Sequence, residues 1–162
     1  MAVDMFIKFD GITGESKDAK HKNEIDVLAW SWGASNSGNA HIGGGAGAGK
    51  VSVQDLSLTK YVDASSNALL AAACNGQHIK NATLVVRKAG GASPLEYIKI
   101  ELETVFVSAL STGGSGGEDR LTENVTLNFA KFKFSYQPQD DKGAAAGGAK
   151  TIGWDIAANA KY

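Results

Sequence analysis

The chain has 162 residues, with 16 Lys and Arg against 17 Asp and Glu, a length that fits one domain around one core. Its net charge of −1 supplies no long-range field toward nucleic acid or an anionic membrane surface. The longest apolar run, Ala68 to Cys74, is far below the roughly 18 to 20 residues that cross a bilayer, and the lone Cys74 excludes an internal disulfide framework or a zinc knuckle.

Met5, Ile7 and Phe9 share one face and predict an opening strand. Asp4 and Lys8 interrupt this segment, so it does not make the apolar stretch of a signal peptide. Lys17, Asp18, Lys20 and Lys22 read as a solvated turn of alternating charge. The next strand, Ile25 to Trp32, has one face of Ile25, Val27, Ala29 and Ser31 and another of Leu28, Trp30 and Trp32. Both faces are largely apolar, which predicts that one packs a barrel and the other is covered or lines a cavity. Ser31, opposite the two tryptophans, is the candidate for the cavity side.

Gly33 to Lys50 is rich in Gly, Ala, Ser and Asn and longer than the roughly 12 to 15 residues above which structureless loops are uncommon. Within it, Gly44 to Lys50 spells GGAGAGK, but Val51 follows where a phosphate loop needs Ser or Thr, and the segment leads into a strand rather than a helix. Nucleotide binding is therefore not expected. Val51 to Leu58 reads as a strand, and Ser65 to Asn75 as a helix. Asp63, Ser65 and Ser66 offer caps, Leu69, Leu70, Ala73 and Cys74 form an apolar stripe, and Gly76 stops the helix. Cys74 then reads as a buried, inert thiol.

Thr83 to Val86, Leu95 to Leu110 and Val125 to Tyr136 are further strands, and Ile152, Trp154 and Ile156 close the chain with another. Ser111 to Arg120 is a second glycine loop, and Asp140 to Lys150 reads as a flexible linker. Apolar phase changes near Gln54-Asp55, Glu103-Thr104 and Ala130-Lys131. Because the strand period is strictly two, each change marks a bulge or a passage from one sheet to another. The expected class is mainly β: a small barrel of two sheets with bent, bulged strands and one flanking helix.

No catalytic, metal or cofactor set emerges from the motifs. His21, His41 and His78 are scattered and read as solvated. Glu118, Asp119 and Glu123 beside Arg120 read as a solvated turn. Two other functions stay open: a monomeric sandwich binding carbohydrate through Trp30, Trp32 or Trp154, and a hydrolase using Asp119 and Glu123.

Taken together, Met5-Phe-Ile-Lys-Phe-Asp-Gly-Ile-Thr-Gly-Glu-Ser16, Glu24-Ile-Asp-Val-Leu-Ala-Trp-Ser-Trp-Gly33, Leu58-Thr-Lys-Tyr-Val-Asp63, the stretch from Ser111 to Phe129, Tyr136-Gln-Pro-Gln139 and Gly153-Trp-Asp-Ile156 carry a resemblance. Along nearly the whole length the chain resembles the Hcp family, the haemolysin-coregulated proteins of the type VI secretion tube. The resemblance implies a single barrel domain over 1–162 without a C-terminal effector extension, and no enzyme. It further implies hexameric rings stacked into a tube, contractile sheath subunits around it, a spike protein at its tip and effector proteins in its lumen. A cytoplasmic protein secreted on firing, without a signal peptide, follows from the same resemblance. Ser31 is then the candidate lumen contact. The loop residues His41, Ile42, Gly43, Gly44, Gly45, Gly47, Gly49 and Lys50 are the candidate contacts between rings, since glycine freedom lets such a loop order on contact.

Overall fold

Period-two alternation over long stretches commits most of the chain to strands. A computed structural model describes residues 3–38, 41, 49–88 and 94–162. In chain order these residues form β1 (Val3–Phe9), β2 (Ile25–Ser31), β3 (Ala34–Ser35), β4 (Ser52–Val53), β5 (Leu56–Tyr61), α1 (Ser66–Asn75), β6 (His78–Lys88), β7 (Leu95–Thr112), β8 (Thr122–Tyr136), β9 (Lys150–Asp155) and β10 (Ala160–Lys161). The order β8-β5-β2-β1-β6-β7 closes on itself because β7 also pairs with β8. The result is a six-stranded barrel in which every neighbouring pair is antiparallel. β9 lies outside this ring, on β8 between Lys131 and Tyr136, and β10 pairs with β9 at Trp154 and Asp155. β3 and β4 form a small separate ladder.

Two strands belong to both halves of the barrel. Ile100 and Leu102 of β7 face inward, and so do Val105 and Val107, although the spacing between Leu102 and Val105 is three. On β8, Leu127, Phe129, Phe132 and Phe134 make the same step. The register is unbroken across it: Glu103 pairs with Lys131 and Val105 with Phe129. Each strand therefore carries one extra residue at the same level, Thr104 opposite Ala130, and the two bend together. Thr104 stands at φ 53°, a left-handed conformation that is costly for a β-branched residue. The expected change near Gln54-Asp55 is instead a break between β4 and β5, which lie in different sheets.

β2 contains a bend that its sequence conceals. Its register with β5 shifts between Val27 and Ala29, so Ile25 and Val27 face in, Leu28 and Ala29 both face out, and Trp30 returns to the core. The expectation of two fixed faces is corrected by this bulge, whose extra residue swaps the sides. Trp32 packs against Phe129, Phe132 and Phe134 and its Nε1 donates to Gln54 O at 2.9 Å.

α1 ends as expected at Gly76, φ 70°, whose N–H donates to Ala72 O. Its inward stripe is Leu69 and Ala72, with Ala73 partly buried, while Leu70 and Cys74 are exposed. The buried-thiol expectation is thus overturned: the helix, which lies beside β7, is rotated so that Leu69 and Ala72, not Leu70 and Cys74, pack inward. The segment expected as a flexible linker is a built turn, with the Asp140 carboxylate accepting from Lys142 N and Ala144 N and Gln137 Nε2 donating to Gly147 O.

Strain at the shared bend gives a direct test. Thr104→Gly is expected to raise stability by roughly 0.5–1 kcal/mol, since glycine accepts positive φ without penalty, and Thr104→Val to lower it. Urea unfolding of both variants decides this; a glycine variant less stable than the parent would mean that the bend is unstrained.

Candidate functional site

Backbone pairing gives the barrel two outward walls of different chemistry. On one, Ser31 pairs with Ser57, Ser57 with Thr126 and Thr126 with Ala109. The adjacent row is Ala29, Thr59, Asn124 and Ser111, with Thr59 Oγ1 donating to Asn124 Oδ1 at 2.7 Å. Asp55 is the carboxylate at the margin of this wall, and it accepts from Ser108 Oγ at 2.8 Å and Asn128 Nδ2 at 2.9 Å. Beyond the bend at Thr104, the second wall is laced with charge. Lys8, Thr83, Glu101 and Lys133 form one row, and Asn81, Glu103, Lys131 and Asp155 the next. Lys99 meets Glu101 at 3.5 Å and Lys131 meets Asp155 at 3.6 Å.

The candidate carboxylates are not brought together as a catalytic pair. Asp119 is exposed, whereas Glu123 is 2% exposed and binds Lys60, which is fully buried. The Lys60 ammonium also reaches Asp63 Oδ1 at 3.0 Å, Tyr61 O at 2.8 Å and Ser66 Oγ at 3.3 Å, so its donors are satisfied. Ser66 Oγ donates to Glu123 at 2.6 Å and accepts from Asp63 N at 3.0 Å. The solvated-turn reading of Glu123 is therefore corrected: this cluster ties β5, β8 and the start of α1 together. It also explains why Ser65 makes no side-chain cap, since its hydroxyl donates to Asp63 Oδ1 instead. The sequence held a signal for it. Lys60 continues the inward phase of Leu56 and Leu58, and Glu123 that of Val125 and Leu127, which aims both charges into the barrel.

A second ionic cluster fastens the loop between β1 and β2 onto the charged wall. Phe6 faces outward yet is buried, as is its ladder partner Val85; His21 stacks on the Phe6 ring at 4.5 Å and Arg87 lies 5.1 Å from it. His21 Nδ1 is 2.8 Å from Glu24 and its Nε2 is 2.7 Å from Glu96. Arg87 donates to Asp18 and to Asp4. The expectations that His21 and Asp18 are solvated are corrected, whereas His41 and His78 are exposed. Hydrogen bonds from Arg87 hold the Asp18 carboxyl well below the usual carboxylate range, helped by the backbone N–H groups of Lys20 and His21.

Of the loop candidates, Ile42, Gly43, Gly44, Gly45 and Gly47 lie outside the described residues. His41 and Lys50 are exposed, and Gly49 O accepts from Asn36 Nδ2 at 2.7 Å. Ser31 is exposed on the uncharged wall. Trp30, Trp32 and Trp154 are half-buried against the core, so they offer no stacking platform and the carbohydrate reading loses its site. No group of three or more His, Cys, Asp or Glu arranged for a metal occurs among the described residues, and no described helix is long and apolar enough to cross a membrane.

Residues 6–136 match the family described as "Type VI secretion system effector, Hcp". The chain belongs to the Hcp family. It is 60% identical over 159 residues to Protein hcp1 of Pseudomonas aeruginosa, an alignment covering 98% of each chain. Among solved structures it resembles one described as a type six secretion system protein, with a TM-score of 0.92 and 34% identity over 99% of this chain and 100% of that one. It also resembles Hcp1 from Salmonella typhimurium, with a TM-score of 0.82 and 41% identity over the whole of both chains. Hcp proteins are structural, secreted components of type VI secretion.

Two tests follow from the ionic clusters. Glu123→Ala leaves the buried Lys60 ammonium without its main partner and is expected to cost about 3–5 kcal/mol by urea unfolding, while a Lys60→Met, Glu123→Leu double variant recovers most of that. A loss below about 1 kcal/mol would show that the pair is not buried in solution. The depressed Asp18 carboxyl contributes stability that is fully present above its unfolded pKa of about 4 and is lost as pH falls below it. Asp18→Asn is therefore expected to flatten the acid limb of the stability profile; an unchanged limb would contradict the pairing.

Proposed function

We propose that this chain is a structural subunit of the type VI secretion tube, forming hexameric rings that stack and are expelled by contraction of a surrounding sheath. In this reading the chain is cytoplasmic before firing and leaves the cell with the tube. Effector proteins ride in the lumen, a spike protein sits at the tip, and no catalysis is involved. The observation that carries the reading, beside membership of the Hcp family, is the contrast between the two walls. A conduit has to hold different cargoes and let them go. Small hydroxyl and amide groups such as Ser31, Ser57, Thr59 and Thr126 offer hydrogen bonds without the aromatic anchors or charged pairs that make contacts tight. The charged wall suits the sheath side, because charge patterns select a partner and its register more than they add affinity. Ser31 then lines the lumen, and the loop from His41 to Lys50 meets the next ring.

Light scattering on the size-exclusion peak, with negative-stain images of the same fraction, is expected to show rings of six copies with an open centre. A monomer at all concentrations would contradict the tube. Ser31→Glu is expected to leave rings intact and to reduce recovery of a co-expressed effector with them; unchanged recovery would remove Ser31 from the lumen. Deleting Gly43 to Gly49 is expected to leave rings and abolish tubes, and tubes that persist would release this loop from its role.

A further inference from the structure

Exposed apolar side chains gather at both ends of β8. At its far end the inward face of the second sheet runs on past the closed ring. The row Ile7, Leu84, Ile100, Phe134 and Ile152 crosses β1, β6, β7, β8 and β9, buried at Ile7 but 48% exposed at Ile152. The next row brings Ile98 and Tyr136 beside Lys150, with Tyr136 42% exposed. From Lys150 to Ile152, β9 pairs with β8 on one edge only; its other edge is covered from Gly153 to Asp155, by β10 and by Tyr162, whose N–H donates to Gly153 O at 3.4 Å. Core-type residues on a strand with a free edge are an uncovered surface. At the near end stand Val62 and Leu121, each 43% exposed, with Val62 N donating to Leu121 O at 2.9 Å. The length of β8, roughly 45 Å of extended chain before its bend is allowed for, separates the two patches.

The two ends are also opposite in charge. The flange made by β9, β10 and the end of β8 carries Lys131, Lys133, Lys150 and Lys161 against Asp155. At the other end a cavity of about 370 Å³ is lined by Glu15, Lys17, Asp26, Tyr61, Asp63 and Arg120, and Glu118 and Asp119 precede Leu121. Arg120 lies over the Tyr61 ring at 3.7 Å, and Asp63 is taken by Lys60. The remaining carboxylates outnumber Lys17 and Arg120. Burial holds the Asp26 carboxyl above its ordinary value, so a cation brought into the cavity would stabilise the ionised form.

We propose that these ends are the two halves of one heterologous interface, in which the lysine-rimmed flange of one copy seats against the acidic Val62 and Leu121 end of a second copy. Matched head to tail, each copy offers one half to a neighbour on either side, and the series closes into a ring when the rotation between copies divides a full turn. The inference rests on the ring reading above and assigns its contacts.

Two variants test it. Ile152→Glu sets a carboxylate against the acidic end, and Leu121→Arg sets a cation against the lysines. With far-UV circular dichroism unchanged, each is expected to be monomeric by light scattering under conditions where the parent chain is assembled. An equimolar mixture is expected to associate again, since each variant keeps the half that the other lacks. Lys150→Glu, on the exposed start of β9, repeats the flange test without replacing an apolar side chain and is expected to weaken association at least tenfold. Variants that assemble like the parent, or a mixture that stays monomeric, would overturn the proposal and leave the ring reading standing. A monomeric parent chain would overturn the ring reading, and this inference with it.

Discussion

The structure depends on one constraint: β7 and β8 must change sheets at the same level. Each strand inserts one residue, Thr104 on one and Ala130 on the other, and the register between them holds across that level, shifting only further on between Val107 and Ala109. A single insertion would have shifted the register and turned one strand's apolar face outward. Two insertions facing each other bend the pair without that cost, so the first half of β7 and the second half of β8 build one sheet while their other halves build a second. The bend therefore closes the barrel and separates its two walls. It also leaves β8 an edge beyond the ring on which β9 sits.

That geometry connects directly to function. In the proposed tube the subunit faces a lumen, a sheath and its neighbours, and each surface has a different physical task. The hydroxyl and amide wall around Ser31 is suited to weak, varied contact, and the charged wall to selective contact. The ionic cluster of Lys60, Glu123 and Asp63 joins two strands and the helix through groups that have left water together. Burying such a group is costly unless its donors are satisfied, and here the ammonium meets four oxygen partners. The loop over Phe6 is fastened by the same chemistry at the surface, through Arg87 and His21.

Most of the barrel is legible in the amino-acid sequence, because spacing of apolar residues is enough to reveal a bend where it steps from two to three. That step is visible at Leu102 to Val105 and at Phe129 to Phe132. The bulge in β2 is hidden because Leu28 and Ala29 are both apolar, so either phase reads as a face. Lys60 and Glu123 lie in phase with core residues, yet a charge on a strand is usually a surface residue, and the pairing needed to hold them inside spans distant parts of the chain. His21 left no periodic trace at all: it sits in a turn, and one of its partners, Glu96, belongs to a strand far along the sequence. Ser31 could be assigned to the face opposite the tryptophans from alternation alone, but only the neighbouring strands reveal the kind of wall it stands on.

The central claim is that the two walls face opposite sides of a tube, and an electron cryomicroscopy reconstruction of rings formed by the purified chain tests it most directly. The account predicts Ser31, Ser57 and Thr126 on the channel surface and Lys8, Lys99 and Glu101 on the outer surface of each ring. A ring with the charged wall lining the channel would contradict it.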